Sequence, residues 1–166
     1  MAPQNKWKYC ENTTKRHPLC LKFLDCIESI DSICISDGAK KSPFSEEICL
    51  NLDKVESNLA RKEKRNARKT MDFSFGSKSG NEKRTVLCEL RLNYKNVNNI
   101  KKSELDSKVS NSKGLLGHSP TIYSPNLFIF SSKLKNQAIN RLRRLYSNKS
   151  NVAVMDLSDF KKFFFD

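Results

Sequence analysis

The stretch Met71-Asp-Phe-Ser-Phe75, followed after a glycine-containing loop by Thr85-Val-Leu-Cys-Glu-Leu-Arg-Leu-Asn-Tyr94, decides the fold class. Both segments alternate apolar and polar residues with a period of two, the pattern of half-buried strands. In the first, Met71, Phe73 and Phe75 are expected on one face and Asp72 on the other. In the second, Val86, Cys88, Leu90, Leu92 and Tyr94 form the apolar face, with Glu89 and Arg91 together on the opposite one. Residues two apart on a strand point the same way. Pairing the segments as a hairpin carries Asp72 toward Glu89 and Arg91. Two carboxylates beside a cation suit a divalent metal acting on a phosphate.

Working upstream, the basic run Ala60-Arg-Lys-Glu-Lys-Arg-Asn-Ala-Arg-Lys69 leads straight into Asp72. It reads as the end of a helix capped by Ser45, with Glu46 and Glu47 in its first turn and Ile48, Leu52, Val55 and Leu59 as its buried stripe. Earlier still, Pro18 suits the first turn of an amphipathic helix carrying Leu19, Phe23, Ile27, Ile30 and Cys34, ended by Asp37-Gly38. Residues 1–17 read as a polar, partly ordered segment anchored by Trp7 and Tyr9, and 18–166 as one α/β domain.

Downstream of the hairpin, Ser103-Glu-Leu-Asp106 has the spacing of a capping box, opening a helix that bears Lys108 and closes at Gly114 and Gly117. Asn126-Leu-Phe-Ile-Phe130 is a short continuous apolar run, as a strand covered on both faces requires. A helix with Leu134, Ala138, Leu142 and Leu145 follows, then a strand Val152–Met155. Ser158 caps a last helix whose Phe160, Phe163 and Phe164 dock on the core, or meet a second copy.

Charge favours a polyanionic partner: 31 Lys and Arg against 18 Asp and Glu give +13, so nucleic acid comes first. The six cysteines contain no C-x-x-C pair and no zinc-finger spacing, and the opening Met-Ala-Pro-Gln-Asn-Lys-Trp7 has no apolar run. Reduced thiols packed as small hydrophobes in the cytoplasm are therefore expected. No apolar stretch is long enough for a membrane span. His17 and His118 stand alone in polar settings and are expected to face solvent. The loop Gly76–Arg84 reads as a flexible basic turn and lacks Walker spacing.

Asp72, followed seventeen positions on by Glu89-Leu-Arg91, resembles the motif of the PD-(D/E)xK nuclease superfamily, which includes restriction endonucleases and Holliday-junction resolvases. The order of elements over roughly residues 45–156 is similar to that family's αβββαβ core. The resemblance implies a restriction endonuclease-like mixed sheet flanked by helices, with an added N-terminal helix. It also implies Mg²⁺ or Mn²⁺ held by Asp72, Glu89 and the Leu90 carbonyl, with Arg91 as the catalytic cation. Nucleic acid, DNA before RNA, would be bound by Arg61, Lys62, Lys64, Arg65, Arg68, Lys69 and Lys78, and a homodimer is common among small nucleases of this type.

Three departures stand against it. Met71 occupies the place of a proline, and no strand is evident between the second helix and Met71. Arg91 replaces the motif lysine, which keeps the charge but removes a group able to titrate. Glu56 is the nearest upstream acid by order. Two other functions stay open: an inactive nucleic-acid-binding module on the same scaffold, and a protein-interaction role of immunity or regulatory type.

Overall fold

A computed structural model describes residues 5–147 and 151–166. The chain opens with a two-residue strand β1 (Lys8–Tyr9) and two short helices, α1 (Glu11–Lys15) and α2 (Pro18–Lys22). An edge strand β2 (Ile27–Ser29), helix α3 (Ile30–Ser36), strand β3 (Ile48–Asn51) and helix α4 (Leu52–Glu63) follow. The central hairpin is β4 (Phe73–Ser79) and β5 (Glu82–Arg91), continued by the crossover helix α5 (Lys102–Leu116) and a short β6 (Thr121–Ile122). The chain closes through β7 (Asn126–Phe130), α6 (Lys135–Leu145), β8 (Val152–Met155) and α7 (Leu157–Phe164).

These strands make one mixed eight-stranded sheet in the order β2-β3-β4-β5-β7-β8, with β1 added to β4 and β6 to β5. The β2–β3–β4–β5 part is antiparallel, whereas β5, β7 and β8 run parallel through helical crossovers. A parallel neighbour demands such a crossover, which is why a helix must separate β5 from β7. All five residues of β7 are buried, Phe128 and Phe130 on one face and Leu127 and Ile129 on the other. Cores therefore form on both sides of the sheet. One holds Leu50, Met71, Leu87 and Leu105 beneath α4, α5 and α6; the other holds Ile30, Phe73, Phe75, Phe160 and Phe164. Among the described residues no helix is long and apolar enough to cross a membrane.

The N-terminal half differs most from the sequence expectation. The single helix expected from Pro18 to Cys34 is broken into α2, a 3₁₀ turn at Leu24–Cys26, β2 and α3. Ile27–Ser29 pairs with Ile48–Leu50, so its apolar positions serve a sheet edge and not a helical stripe. The helix expected from Ser45 starts only at Leu52, capped by the Asn51 side chain accepting from the Lys54 N–H. The residues expected as its first turn form β3, which pairs antiparallel with β4. Helix α4 lies between these two paired strands in the chain. Residues 5–17 join the sheet through β1, and Trp7 is buried; residues 1–4 of the expected loose segment lie outside the described residues. The added N-terminal unit is thus two short helices with strands, not one helix.

The hairpin is longer than expected, since β4 continues through Gly76 and turns at Gly80, whose φ of +59° suits a residue without a Cβ. Gly76 is required for another reason: a Cβ there would stand 2.5 Å from the Thr14 backbone nitrogen. Met71 precedes the strand and, after a bend at Asp72, packs in the opposite core from Phe73 and Phe75. Tyr94 likewise leaves the face of Val86 and Cys88 because β5 ends at Arg91. The Ser103 box does not form, as Asp106 instead accepts from Lys102 and Tyr146. Asp156, with Asp159, caps α7 in place of Ser158. The docking of Phe160 and Phe164 is as expected, both fully buried; each such side chain contributes about 1.5–3 kcal/mol. Cys20, Cys26, Cys34, Cys49 and Cys88 are buried free thiols.

Candidate functional site

β5 brings the motif together. Glu89 and Arg91 point to one face, where Arg91 NH2 stands 2.7 Å from Glu89 Oε2. That face is not a polar surface: Glu89 is 1% exposed and lies in line with the core residue Leu87. Asp72 sits immediately before β4. Its N–H donates to the Cys88 carbonyl at 3.1 Å, and its Oδ2 accepts the Leu90 N–H at 2.6 Å. Asp72, Glu89, Leu90 and Arg91 are thus gathered within one stretch of the β4–β5 pair.

A fifth residue reaches the same place from outside the motif. Lys108 of α5 extends its Nζ to within 2.7 Å of Glu89 Oε2. Helix α5 is held there by Ser112, fully buried, whose hydroxyl accepts the Met71 N–H at 2.8 Å and donates to the Lys108 carbonyl at 2.7 Å. The Asn111 amide adds a hydrogen bond to the Lys69 carbonyl at 2.9 Å. The crossover helix is therefore fastened to the residues that carry Asp72 into the sheet. In the sequence Lys108 was one lysine among many. Its signal was the crossover itself, which must return over the face of β5.

Among the described residues Glu89 carries two cations on one oxygen and none on the other. Oε1 is buried without a hydrogen-bond partner among the described residues, as is Nε of Arg91. Burial pushes the Glu89 carboxyl up to about 8; the charge of Asp72 acts in the same direction, while Arg91 and Lys108 oppose it. Arg91 is tied down further, donating to the Tyr94 hydroxyl and lying with its guanidinium carbon 4.8 Å from the Tyr94 ring centroid.

The upstream acid by order does not join the site. Glu56 is buried in a bidentate pair with Arg65, at 2.8 and 3.0 Å, and accepts the Arg68 N–H. It holds the basic loop in shape. The acids nearer Asp72 are Asp37 and Asp53, which with Glu28 and Asp72 line a cleft of about 400 Å³. Asp37 accepts the Leu92 N–H at 2.9 Å, and burial first, then the charge of Asp72, raises its carboxyl to about 6. Asp53 accepts the Thr70 hydroxyl at 2.8 Å. Sequence periodicity could not single out Asp37, which looked like part of a helix-ending Asp-Gly. Among the described residues no group of three or more His, Cys, Asp or Glu is arranged to hold a metal ion.

The basic set divides. Arg61, Lys62, Lys64, Arg68 and Lys69 are exposed at the end of α4 and along the loop into Asp72. Lys69 approaches Glu104 of α5 at 4.0 Å, which places that loop against the helix bearing Lys108. Arg65 is half-buried and committed to Glu56 and Glu63. Lys78 lies six residues along β4 from Asp72, about 20 Å away at strand rise, and faces the N-terminal strand at Lys8. His118 is exposed, but His17 is buried, its Nδ1 accepting the Leu19 N–H as the cap of α2. A scan against protein-family models finds no match to the chain, and searches of curated proteins and of solved structures find none either.

Proposed function

We propose that the chain is a divalent-metal-dependent nuclease of the PD-(D/E)xK type, hydrolysing phosphodiesters of nucleic acid, DNA before RNA. The observation that carries this reading is the convergence of Asp72, just before β4, Glu89 of β5 and Lys108 of the crossover helix. The order α3–β3–β4–β5–α5–β7 supports the family core, with α4 as an insertion.

The donors fit a hard cation. Asp72 and Glu89 would hold Mg²⁺ or Mn²⁺, and Glu89 Oε1 is a buried oxygen lacking a partner among the described residues. Mg²⁺ is commonly held by one or two protein carboxylates, with waters and substrate phosphate completing its shell. When bound, the ion would lower the pKa of a water and offset charge on the scissile phosphate.

The chain's own residues would do the rest. Asp72 is oriented by the Leu90 N–H, and Glu89 by Lys108 and Arg91. Water oxygen bonds to phosphorus as the bridging P–O bond breaks, and the departing oxygen gains the proton that the water loses. Cationic donors stabilise the added negative charge, a contribution of about 3 kcal/mol for one well-placed group. Arg68 and Lys69, exposed on the loop that leads into Asp72, would contact phosphates beside the cleaved one.

Isothermal calorimetry with Mn²⁺, beside a plasmid-nicking assay, tests this directly. Binding and nicking by the intact chain, both lost in Glu89→Gln, are expected; an intact chain that does neither removes the nuclease. A non-catalytic nucleic-acid-binding module is the second reading, favoured by the two cations already paired with Glu89. It requires salt-dependent binding with no cleavage under any metal.

A further inference from the structure

We propose that Lys108, and not Arg91, is the cation this site presents to the scissile phosphate; the proposal rests on the nuclease reading above. Both side chains touch the same oxygen of Glu89 at 2.7 Å, so proximity does not separate them. Their remaining attachments do. Arg91 bonds the Tyr94 hydroxyl, stacks on its ring and approaches Glu104 at 4.0 Å. Its planar fork is locked on several sides, and its Nε is buried without a partner among the described residues. Such a group braces the Glu89 carboxylate.

Lys108 is held differently. Among the described residues its ammonium uses one of three donors, on Glu89 Oε2, which leaves two for a ligand. Its side chain is 17% exposed, against 12% for Arg91 and 1% for Glu89, so it reaches solvent where the carboxylate does not. A compact ammonium on a flexible stem can also follow a phosphate oxygen as negative charge builds on it, whereas a stacked guanidinium cannot move without losing its contacts.

The position of Lys108 is fixed through the backbone. Ser112, one turn further along α5, joins the Lys108 carbonyl to the Met71 N–H with two short hydrogen bonds, and Met71 is the neighbour of Asp72. The lysine and the aspartate are therefore in register through one buried hydroxyl, although they come from elements 36 residues apart in sequence. The loop carrying Lys69 is pinned to the same helix by Asn111, so the exposed Lys69 lies against the helix that bears Lys108.

The test is nicking of supercoiled plasmid by the full chain in Mn²⁺, with calorimetric Mn²⁺ binding measured on each variant. Lys108→Gln retains an N–H donor for Glu89 and removes the charge. It is expected to lower the nicking rate by about 100-fold or more, while Mn²⁺ affinity stays within a few-fold of the intact chain or rises. Lys108→Arg restores the charge and is expected to recover nicking to within about tenfold of the intact rate, a rescue that a merely structural role would not need. Nicking by Lys108→Gln at the intact rate overturns the proposal and leaves the nuclease standing. A folded, Mn²⁺-binding Lys108→Arg without activity overturns it as well, and serves if the glutamine variant does not fold. An intact chain that neither nicks nor binds Mn²⁺ removes both.

Discussion

Asp72 and Leu90 are joined across the β4–β5 pair by a 2.6 Å hydrogen bond, the carboxylate accepting the backbone N–H. The aspartate therefore has a structural partner as well as a proposed ligand role, and two substitutions separate them. Asp72→Asn keeps an acceptor oxygen and is expected to fold with a near-unchanged denaturation midpoint, yet lose Mn²⁺ binding and nicking. Asp72→Ala leaves a backbone donor unpaired and should also cost about 1–3 kcal/mol. Urea unfolding of both variants, read with calorimetry, checks the pair. A large destabilisation in the asparagine variant would mean that the charge, not the hydrogen bond, holds the strands.

Gly76 is where the N-terminal unit presses on the sheet. An added Cβ would meet the Thr14 nitrogen at 2.5 Å and the Thr13 carbonyl carbon at 2.6 Å, backbone atoms that cannot rotate away. The Gly76 N–H also donates to the Thr14 hydroxyl at 2.8 Å, and its carbonyl accepts the Cys10 N–H at 2.9 Å. Gly76→Ala should lower stability by about 1–3 kcal/mol through overpacking. Hydrogen exchange should locate the loss in residues 8–17, with β5 and β7 remaining protected. Uniform loss of protection would show that the unit does not open separately.

That unit also marks where the sequence stopped being legible. The β4–β5 hairpin, β7 and α7 announced themselves through alternation, a continuous apolar run and a phenylalanine repeat, because each buries its side chains by one local rule. Ile27–Ser29 and Ile48–Asn51 did not. Their apolar residues satisfy helical spacing equally well, and three or four residues cannot distinguish the two periods. What makes them strands is pairing with each other and with β4, a contact between distant segments. The site follows the same division: Asp72, Glu89 and Arg91 share a hairpin and were found by spacing. Lys108, Ser112 and Asp37 arrive from other elements and carry no local mark. Glu56, nearest in order, was turned away by Arg65.

Asp37 gives the cleft a pH signature. Its carboxyl is raised to about 6, by burial and then by the Asp72 charge, against the lowering effects of the Leu92 N–H, Arg91 and Lys108. In the unfolded chain an aspartate titrates near 3.9. The folded state therefore holds this proton more tightly, and the group's contribution to stability is fully present below about pH 4. It falls as pH rises toward 6 and is flat beyond. Asp37→Asn, which retains an acceptor for the Leu92 N–H, should remove that fall. Melting temperatures of the two proteins across pH 4 to 7 provide the measurement; parallel curves would deny Asp37 its raised value.

The exposed cations differ in what they can reach, and salt dependence can read this. Arg68 and Lys69 lie on the loop entering Asp72, against the helix that carries Lys108. Each phosphate contact with duplex DNA contributes about 0.9 to the slope of log affinity against log salt, through release of counterions. Removing both in Arg68→Ala/Lys69→Ala should reduce the slope by about 2 if both contact phosphate. Lys78 projects from the far end of β4, beside Lys8, and belongs to a different part of the surface. Lys78→Ala is accordingly expected to leave the slope unchanged. Binding of a short duplex followed by fluorescence anisotropy in Ca²⁺, across a range of salt concentrations, measures all three proteins without cleavage. An equal fall in slope for Lys78→Ala would move the nucleic acid along the hairpin, away from Glu89, and would favour a binding module over a nuclease.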